Sequence, residues 1–178
     1  MRRTLILALF LAAAGWLAAA QNAMQAFDYD QAAPLDVQEK GTTKRGAVSV
    51  VDISYASPKG GRVPAYLVVP GGKGPFAAVI WGHWYWANSQ ARNRGEFLDE
   101  AVALAGSGVV SLLTDGPIAR PGHVRDDDPL SERQPAELIQ QIIDMRRGVD
   151  LLLARKDGGS EAPRICWAQL PCNCRSVP

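Results

Sequence analysis

An apolar run between Pro75 and Gly82 dominates the hydropathy pattern of the chain. Residues 76–81 show neither the period of a helix nor an alternation of polar and apolar positions, so they predict a strand buried on both faces. Residues 96–107 then place apolar side chains at spacings of three and four, and residues 109–113 form a second apolar run. This order of strand, helix and strand predicts a parallel sheet with a crossover helix.

Similar patterns extend the prediction toward both ends of the chain. Residues 47–54 and Arg62–Val69 have the alternation of strands and are separated by a turn-forming cluster, which predicts a hairpin. Residues 135–155 carry an apolar stripe of helical period, and residues 164–170 suit one further strand. We therefore predict an α/β fold with an N-terminal hairpin and a short parallel sheet with crossover helices.

The first 20 residues have the composition of a secretory signal peptide. Arg2 and Arg3 precede an apolar segment, and three alanines end at Ala20. A membrane-spanning helix is the alternative interpretation, but the apolar segment is shorter than the ~20 residues that a span requires. We expect cleavage after Ala20, export to the periplasm or the medium, and no stable membrane anchor in the mature protein.

The rest of the chain is predicted to form one domain with two irregular ends. Residues 21–46 are polar and are interrupted by proline and glycine, which indicates an extended N-terminal arm. Residues 47–170 contain the predicted strands and helices. Residues 171–178 show no periodicity and are predicted to form an irregular tail that contains cysteine.

Composition argues against several classes of function. Loss of the signal peptide removes two of the 19 Lys+Arg residues and leaves 17 against 18 Asp+Glu, so we expect no binding to nucleic acid. The three cysteines, Cys166, Cys172 and Cys174, lie close to the C-terminus, and the two histidines are far from them in sequence. This arrangement lacks the ligand spacing of a zinc site. We predict no metal and no cofactor, and nothing in the sequence specifies an oligomeric state.

Six segments carry a resemblance to a known family. They are Val-Ile-Trp-Gly-His at 79–83, the helix pattern at 97–105, the apolar strand at 108–113, Asp-Gly-Pro at 115–117, and the segments 144–152 and 162–165. Their order and spacing resemble the α/β-hydrolase superfamily, and most closely its dienelactone hydrolase-like and acyl esterase branch. The resemblance covers about residues 47–165. It implies an exported serine esterase that acts on a small-molecule carboxylic ester and needs no cofactor.

The resemblance ends where that family places its nucleophile. In α/β-hydrolases the strand corresponding to residues 164–170 leads into a G-x-S-x-G elbow, and the acid and histidine of the triad follow. Here Pro171 occupies the nucleophile position, and the flanking glycines are absent. Cys172 lies one place further on, but no later histidine is present to deprotonate it. We therefore predict no catalytic residue in these 178 residues.

Two functional interpretations follow from this departure. The first is a partial α/β-hydrolase fold, truncated before the elbow and inactive as written. The alternative is a non-catalytic secreted binding remnant of the same fold.

The resemblance also implies an oxyanion loop directly after the strand at 76–81. His83 and Trp84 would belong to it, because α/β-hydrolases take one oxyanion donor from the backbone here. The alternative for His83 is a histidine that hydrogen-bonds across a loop. Tyr85 and Trp86 would line a substrate pocket or pack beneath a lid. Trp84 and Trp86 also suggest a carbohydrate-binding module, but such modules are mostly all-β, and the long predicted helix argues against that class.

Three other polar features receive structural interpretations. Asp115 follows a predicted strand and suits a turn or a cap, although it could border the site. His123 lies in a polar loop and is expected to be exposed. Asp126, Asp127 and Asp128 indicate a solvated surface, since the spaced glycine and glutamate of a calcium loop are missing.

Overall fold

The computed structural model describes residues 24–83, 92–124, 128, 131–155 and 165–168, the last four through their backbone. These residues form six strands, two α-helices and one 3₁₀ turn. The strands are β1 (Gln38–Arg45), β2 (Val48–Ala56), β3 (Arg62–Val69), β4 (Ala77–Gly82), β5 (Val109–Thr114) and β6 (Ile165–Ala168). The helices are α1 (Leu98–Ala105) and α2 (Arg133–Leu153), and the 3₁₀ turn is Pro117–Ala119.

All six strands belong to one mixed sheet with the order β1-β2-β3-β5-β4-β6. The pairs β1–β2, β2–β3 and β3–β5 are antiparallel, whereas β4 runs parallel to both β5 and β6. The predicted hairpin is confirmed as β2 and β3. The prediction that 76–81, 109–113 and 164–170 lie parallel in one sheet is confirmed as well, with β6 at one edge of the described sheet.

The two helices pack on opposite faces of the sheet. Successive side chains of a strand point to opposite faces, and β4 accordingly sends Ile80 into one hydrophobic cluster and Trp81 into the other. Helix α2 contributes Leu151 and Leu152 to the cluster that contains Ile80. Helix α1 packs on the other face, where Phe97 just before it stacks against Trp81 with ring centroids 5.6 Å apart. The apolar run of the sequence is therefore a strand that is buried on both faces, between the two cores.

Glycine at position 148 allows α2 to lie close to the sheet. A Cβ atom at this position would lie 2.9 Å from Ile80 Cδ1, 2.9 Å from Leu112 Cδ2 and 3.1 Å from the hydroxyl oxygen of Tyr55. All three side chains are fully buried. Because the space is already filled, Gly148 determines how closely the helix approaches β4 and β5.

The N-terminal region, predicted as an extended arm, contains a strand that the sequence pattern did not single out. Residues 21–46 include β1, which pairs with β2 along its whole length and extends the sheet beyond residues 47–170. All eight residues of β1 are exposed, so the strand has no apolar face and no alternation that periodicity could detect. Its charged side chains suit an edge strand, because such residues discourage pairing with other chains.

Residues 27–35, here called the N-terminal strap, are tied to α2. The hydroxyl of Tyr29 donates to Asp150 Oδ2 at 2.8 Å, and Arg146 donates to the carbonyl oxygen of Phe27 at 2.5 Å. The buried Arg147 donates to two strap carbonyls, one of them Gln31 O at 3.0 Å. These contacts join segments more than 110 residues apart in sequence.

The predicted signal peptide at 1–20 and tail at 171–178 lie outside the described residues. In the described part of the chain, no helix combines the length and the apolar character needed to cross a bilayer.

Candidate functional site

The candidate site lies at the carboxyl ends of β4 and β5. Gly82 and Thr114 are paired as the last residues of these parallel strands, so His83 and Asp115 follow at the same edge of the sheet. Ligands of open parallel sheets bind at such edges. Both side chains belong to buried residues, with 8% and 7% of their respective surfaces exposed, which is unusual for polar groups that follow strands.

His83 makes a defined hydrogen bond across this edge. Its Nε2 accepts the backbone N–H of Gly116 at 2.9 Å. A nitrogen that accepts a hydrogen bond carries no proton, so the neutral imidazole holds its proton on Nδ1. The alternative interpretation from the sequence, a histidine that hydrogen-bonds across a loop, therefore describes this side chain. This hydrogen bond uses the side chain of His83, and the assignment of the backbone at residues 83 and 84 to an oxyanion loop stays a prediction.

Asp115 is the second anchor at this edge. Its Oδ1 accepts the backbone N–H of Arg94 at 2.6 Å, and its own N–H donates to Pro64 O at 2.9 Å. Burial raises the pKa of this carboxyl above its ordinary value, while the hydrogen bond from Arg94 and the nearby charges oppose that shift. The predicted turn role is thus accompanied by a long-range contact, because Arg94 lies 21 residues earlier in the chain.

Arg94 is held in one orientation by two further groups, the carboxylate of Asp52 and the ring of Tyr66. Its guanidinium donates two hydrogen bonds to the carboxylate of Asp52, at 2.8 and 3.0 Å, and lies 4.2 Å above the ring centroid of Tyr66. Paired planar hydrogen bonds and cation–π contact both restrict an arginine to one orientation. Sequence analysis did not identify Arg94, Asp52 or Tyr66, because their alignment depends on how β2 and β3 pair.

Asp115 and Gly116 together form what we call the loop clamp. These consecutive residues hold His83 at one end of the segment 83–94 and Arg94 at its other end. A Cβ atom added at Gly116 would lie 3.3 Å from His83 Nε2. The close approach of the imidazole therefore favours glycine at this position. The clamp fixes the two ends of a segment at the place where the sheet presents ligand sites.

Three of the predicted site residues lie between the two clamped ends of that segment. Trp84, Tyr85 and Trp86 lie outside the described residues. Their assignments to the oxyanion loop and to substrate binding remain predictions.

A second buried network lies beneath the clamp. Asp144, with 2% of its surface exposed, accepts the hydroxyl of Ser57 at 2.6 Å and pairs with Arg120. Burial raises the pKa of Asp144, and Arg120 and Ser57 oppose the shift. Tyr55 donates its hydroxyl to the backbone carbonyl of Asp144 at 2.7 Å. The network joins β2 to α2 and to the segment after the 3₁₀ turn, and Nε of Arg120 is buried in it without a hydrogen-bond partner among the described residues.

The structure places His123 differently from the expectation of an exposed side chain. Its side chain is 13% exposed, and Nε2 lies 3.0 Å from Oε1 of Glu137, the oxygen that also accepts Nε of Arg133 at 2.8 Å. Packing against the first turns of α2 removes the ring from solvent. His123 is therefore a partner of Glu137. It follows the 3₁₀ turn in the chain, whereas β5 precedes that turn.

A cleft of about 110 Å³ opens between the 3₁₀ turn and the start of α2. It is lined by Pro117, Ile118, Gln134, Glu137, Leu138 and Gln141. A Cβ on Gly116 would lie 3.3 Å from both Gln141 Oε1 and His83 Nε2, so the cleft borders the clamp through Gln141. Its apolar walls and side-chain amides suit a small ligand with an apolar part and hydrogen-bonding groups.

The described residues contain no group of three or more histidine, cysteine, aspartate or glutamate side chains that could hold a metal ion. Asp126 and Asp127 lie outside the described residues, as do Cys172 and Cys174, and Cys166 is described through its backbone in β6.

Comparison with solved structures identifies the fold. An acetyl xylan esterase from Thermoanaerobacterium sp. JW/SL YS485 matches with a TM-score of 0.60 and 14% identity, covering 80% of this chain and 48% of that one. The acetyl xylan esterase from Paenibacillus sp. R4 matches with a TM-score of 0.56 and 14% identity, covering 83% and 49%. The chain thus spans about half the length of these esterases.

A dienelactone hydrolase from Anabaena variabilis ATCC 29413 also matches, with 17% identity, coverage of 68% of this chain and 51% of that one, and a TM-score of 0.43. The fold assignment rests on the two esterases. No protein-family model and no curated protein matches the chain. At these identities the likeness concerns the fold: the chain resembles about half of an α/β-hydrolase.

Proposed function

We propose that this chain carries the oxyanion-loop half of an exported hydrolase that acts on small carboxylic esters. The loop clamp is the observation that supports this proposal most directly. It holds His83 directly after β4, at the strand end where α/β-hydrolases place a backbone donor for the oxyanion. A rigid anchor is useful there, because an oxyanion hole stabilises developing charge with donors that need no reorganisation.

Each residue of the proposed site has a defined task. The backbone N–H of Trp84 donates a hydrogen bond to the oxyanion. The imidazole of His83 holds the backbone at residue 83 in place, because it accepts the hydrogen bond from Gly116 N–H. His83 does not act as the general base, because its Nε2 lone pair already accepts the Gly116 N–H. Tyr85 and Trp86 contact the acyl or alcohol part of the ester.

We further propose that the 178-residue polypeptide does not hydrolyse esters by itself. Acyl transfer requires a nucleophile, a base and a pair of oxyanion donors. The printed sequence has no G-x-S-x-G elbow after β6, and the second oxyanion donor normally comes from the residue after the nucleophile. Both histidines precede β6, whereas the family places its base after that strand.

Hydrolysis of p-nitrophenyl acetate by the purified polypeptide tests the predicted inactivity. We expect the rate of the protein sample to equal that of buffer, and the Cys172→Ala variant to behave in the same way. Turnover well above buffer that disappears in Cys172→Ala would identify a cysteine nucleophile and would refute the proposed inactivity.

The nucleotide sequence around codon 165 tests the hydrolase lineage. We expect a downstream reading frame that encodes a G-x-S-x-G elbow followed by an acid and a histidine. Joining that frame to residue 165 should yield an active esterase, in which His83→Ala lowers kcat by weakening the anchor of the loop. If no frame encodes an elbow, the non-catalytic binding remnant replaces the hydrolase proposal.

Export is proposed from the sequence and is tested separately. Intact-mass measurement on protein from the periplasm or medium should give a chain that begins at Gln21. A chain that retains Met1 would contradict cleavage after Ala20.

A further inference from the structure

The cleft between the 3₁₀ turn and α2 lies at the same end of the sheet as the loop clamp. Helix α2 connects β5 to β6, and both strands run parallel to β4. The helix therefore begins near the carboxyl ends of these strands and runs back toward their amino ends. Its first turns form one wall of the cleft, and Pro117 and Ile118, which directly follow Gly116 of the clamp, form the other.

Glu137 contributes to the cleft a carboxylate whose charge is already balanced. Its Oε1 accepts Nε of Arg133 at 2.8 Å and lies 3.0 Å from Nε2 of His123. These contacts hold the carboxylate in place and reduce its attraction for a cationic ligand, whereas a ligand carboxylate would meet a like charge. The cleft therefore suits an uncharged ligand.

Gln141 supplies the cleft with a polar group that no described neighbour uses. Its side-chain amide makes no hydrogen bond within the described part of the chain, whereas Gln134 donates to Asp128 O at 3.5 Å. An amide group both donates and accepts hydrogen bonds, and a hydroxyl group does the same, so the two are matched partners. A Cβ on Gly116 would lie 3.2 Å from Gln141 Cδ and 3.3 Å from His83 Nε2, which places this amide beside the clamp.

The volume of the cleft limits the ligand to a few atoms. A dry protein cavity of roughly 150 Å³ holds one molecule of benzene. In proportion, the cleft of about 110 Å³ suits about four to five non-hydrogen atoms. Pro117, Ile118 and Leu138 offer apolar contacts to such a ligand. A short aliphatic chain that carries one hydroxyl group therefore fits both the size and the lining of the cleft.

We propose that the cleft binds the alcohol part of the ester and selects a short primary alcohol. This inference rests on the proposed function, which supplies the ester. The alcohol oxygen of an ester is bonded to the same carbon as the oxygen that becomes the oxyanion, so it lies next to the backbone that the loop clamp holds. Gln141 hydrogen-bonds the alcohol oxygen, and Ile118 and Leu138 contact the chain. An acyl chain has no polar atom beyond its carbonyl group that would use this amide.

A titration of the purified 178-residue polypeptide with 1-butanol, followed by nuclear magnetic resonance, tests the site directly. We expect saturable changes in the backbone amide signals of residues 116, 118 and 134–141, with a dissociation constant in the millimolar range. The affinity for 1-hexanol should be within twofold of that for 1-butanol, because the cleft does not admit the longer chain. On an open apolar surface each added methylene group would instead raise the affinity about fourfold.

The variant Gln141→Leu tests the hydrogen bond to the hydroxyl group. We expect it to raise the dissociation constant for 1-butanol at least fivefold. Gln140→Leu is the matched control, because Gln140 is the neighbouring glutamine of α2, lies outside the cleft lining and donates to Ser57 Oγ at 3.5 Å. The control should bind 1-butanol like the wild type.

Circular dichroism verifies that each variant is folded. Leu138→Ala provides a second test of the cleft at low risk to folding, since Leu138 is 60% exposed, and it should also weaken binding. The proposal would be overturned by an absence of saturable binding, by equal losses in Gln140→Leu and Gln141→Leu, or by an affinity for 1-hexanol more than tenfold above that for 1-butanol.

These measurements separate the alcohol site from the proposed function, because they require no hydrolysis. If no downstream frame encodes an elbow but 1-butanol binds as described, the hydrolase proposal fails and the binding site stands. If the joined frame yields an active esterase but the cleft does not bind 1-butanol, the alcohol site alone is refuted.

Discussion

At the level of single residues, the polar groups of the candidate site are held by partners from distant parts of the chain. Asp115 contacts Arg94, Arg94 contacts Asp52, and His83 accepts a hydrogen bond from Gly116. The sequence placed His83 and Asp115 at strand ends, because strand ends follow from the apolar runs. It did not identify Arg94 or Asp52, whose roles depend on a sheet pairing that periodicity does not reveal.

The ionisation of Asp115 provides a test at this scale. Burial raises its pKa in the folded state, so the folded protein binds this proton more readily than the unfolded chain. The stabilisation that this bound proton provides is fully present below the pKa of Asp115 in the unfolded chain. It is lost as the pH rises through the higher pKa of Asp115 in the folded protein. We expect acidification from pH 7 toward pH 4 to stabilise the wild type relative to Asp115→Asn, which retains an oxygen acceptor for Arg94 N–H.

Urea unfolding of both proteins at several pH values measures this difference. Asp144 titrates in both proteins, and its contribution cancels in the comparison. A difference in unfolding free energy that is constant with pH, or that favours the asparagine variant at low pH, would contradict the raised pKa of Asp115 in the folded protein.

At the level of elements, the packing of α2 on the sheet depends on a position without a side chain. The apolar period of residues 135–155 correctly predicted the helix, although it could not show that Gly148 faces the sheet at contact distance from Ile80 and Leu112. A glycine inside a helix ordinarily lowers stability by ~1 kcal/mol relative to alanine. Here a close helix–sheet contact offsets that cost.

We expect Gly148→Ala to lower the free energy of unfolding by about 1–3 kcal/mol, because the added methyl overfills the core. Thermal or urea unfolding measures the change. Gly41→Ala is the control, since a Cβ at Gly41 has no neighbour within 4 Å and the variant should differ little from wild type. An alanine variant at 148 that is as stable as wild type would show that the helix moves away from the sheet without cost.

At the scale of the whole molecule, the N-terminal strap connects the beginning of the described chain to α2. Burial and the hydrogen bond to Asp150 raise the pKa of Tyr29 to about 12. Because the folded pKa is raised, the stability from this contact is present below the unfolded pKa near 10 and is lost as pH rises toward the folded value. We expect the advantage of the wild type over Tyr29→Phe to shrink between pH 10 and about 12.

Urea unfolding at pH 8, 10 and 11.5 measures that advantage. The comparison with the variant isolates Tyr29, because the buried Tyr55, whose pKa is also raised, is present in both proteins. An advantage that stays the same across this range would mean that the strap does not depend on the Tyr29 hydroxyl.

The sequence by itself determined the central strands, the long helix and their order, because the period of apolar positions is a local property of the chain. It also located the edge of the sheet where His83 lies. Only the tertiary structure decided that polar β1 joins the sheet, that Gly116 reaches His83 across 33 residues, and that Arg94 reaches Asp52 across 42. The two side-chain contacts depend on the order β3-β5-β4, in which β5 lies between β4 and β3 and pairs with β3, a strand that is not its neighbour in sequence.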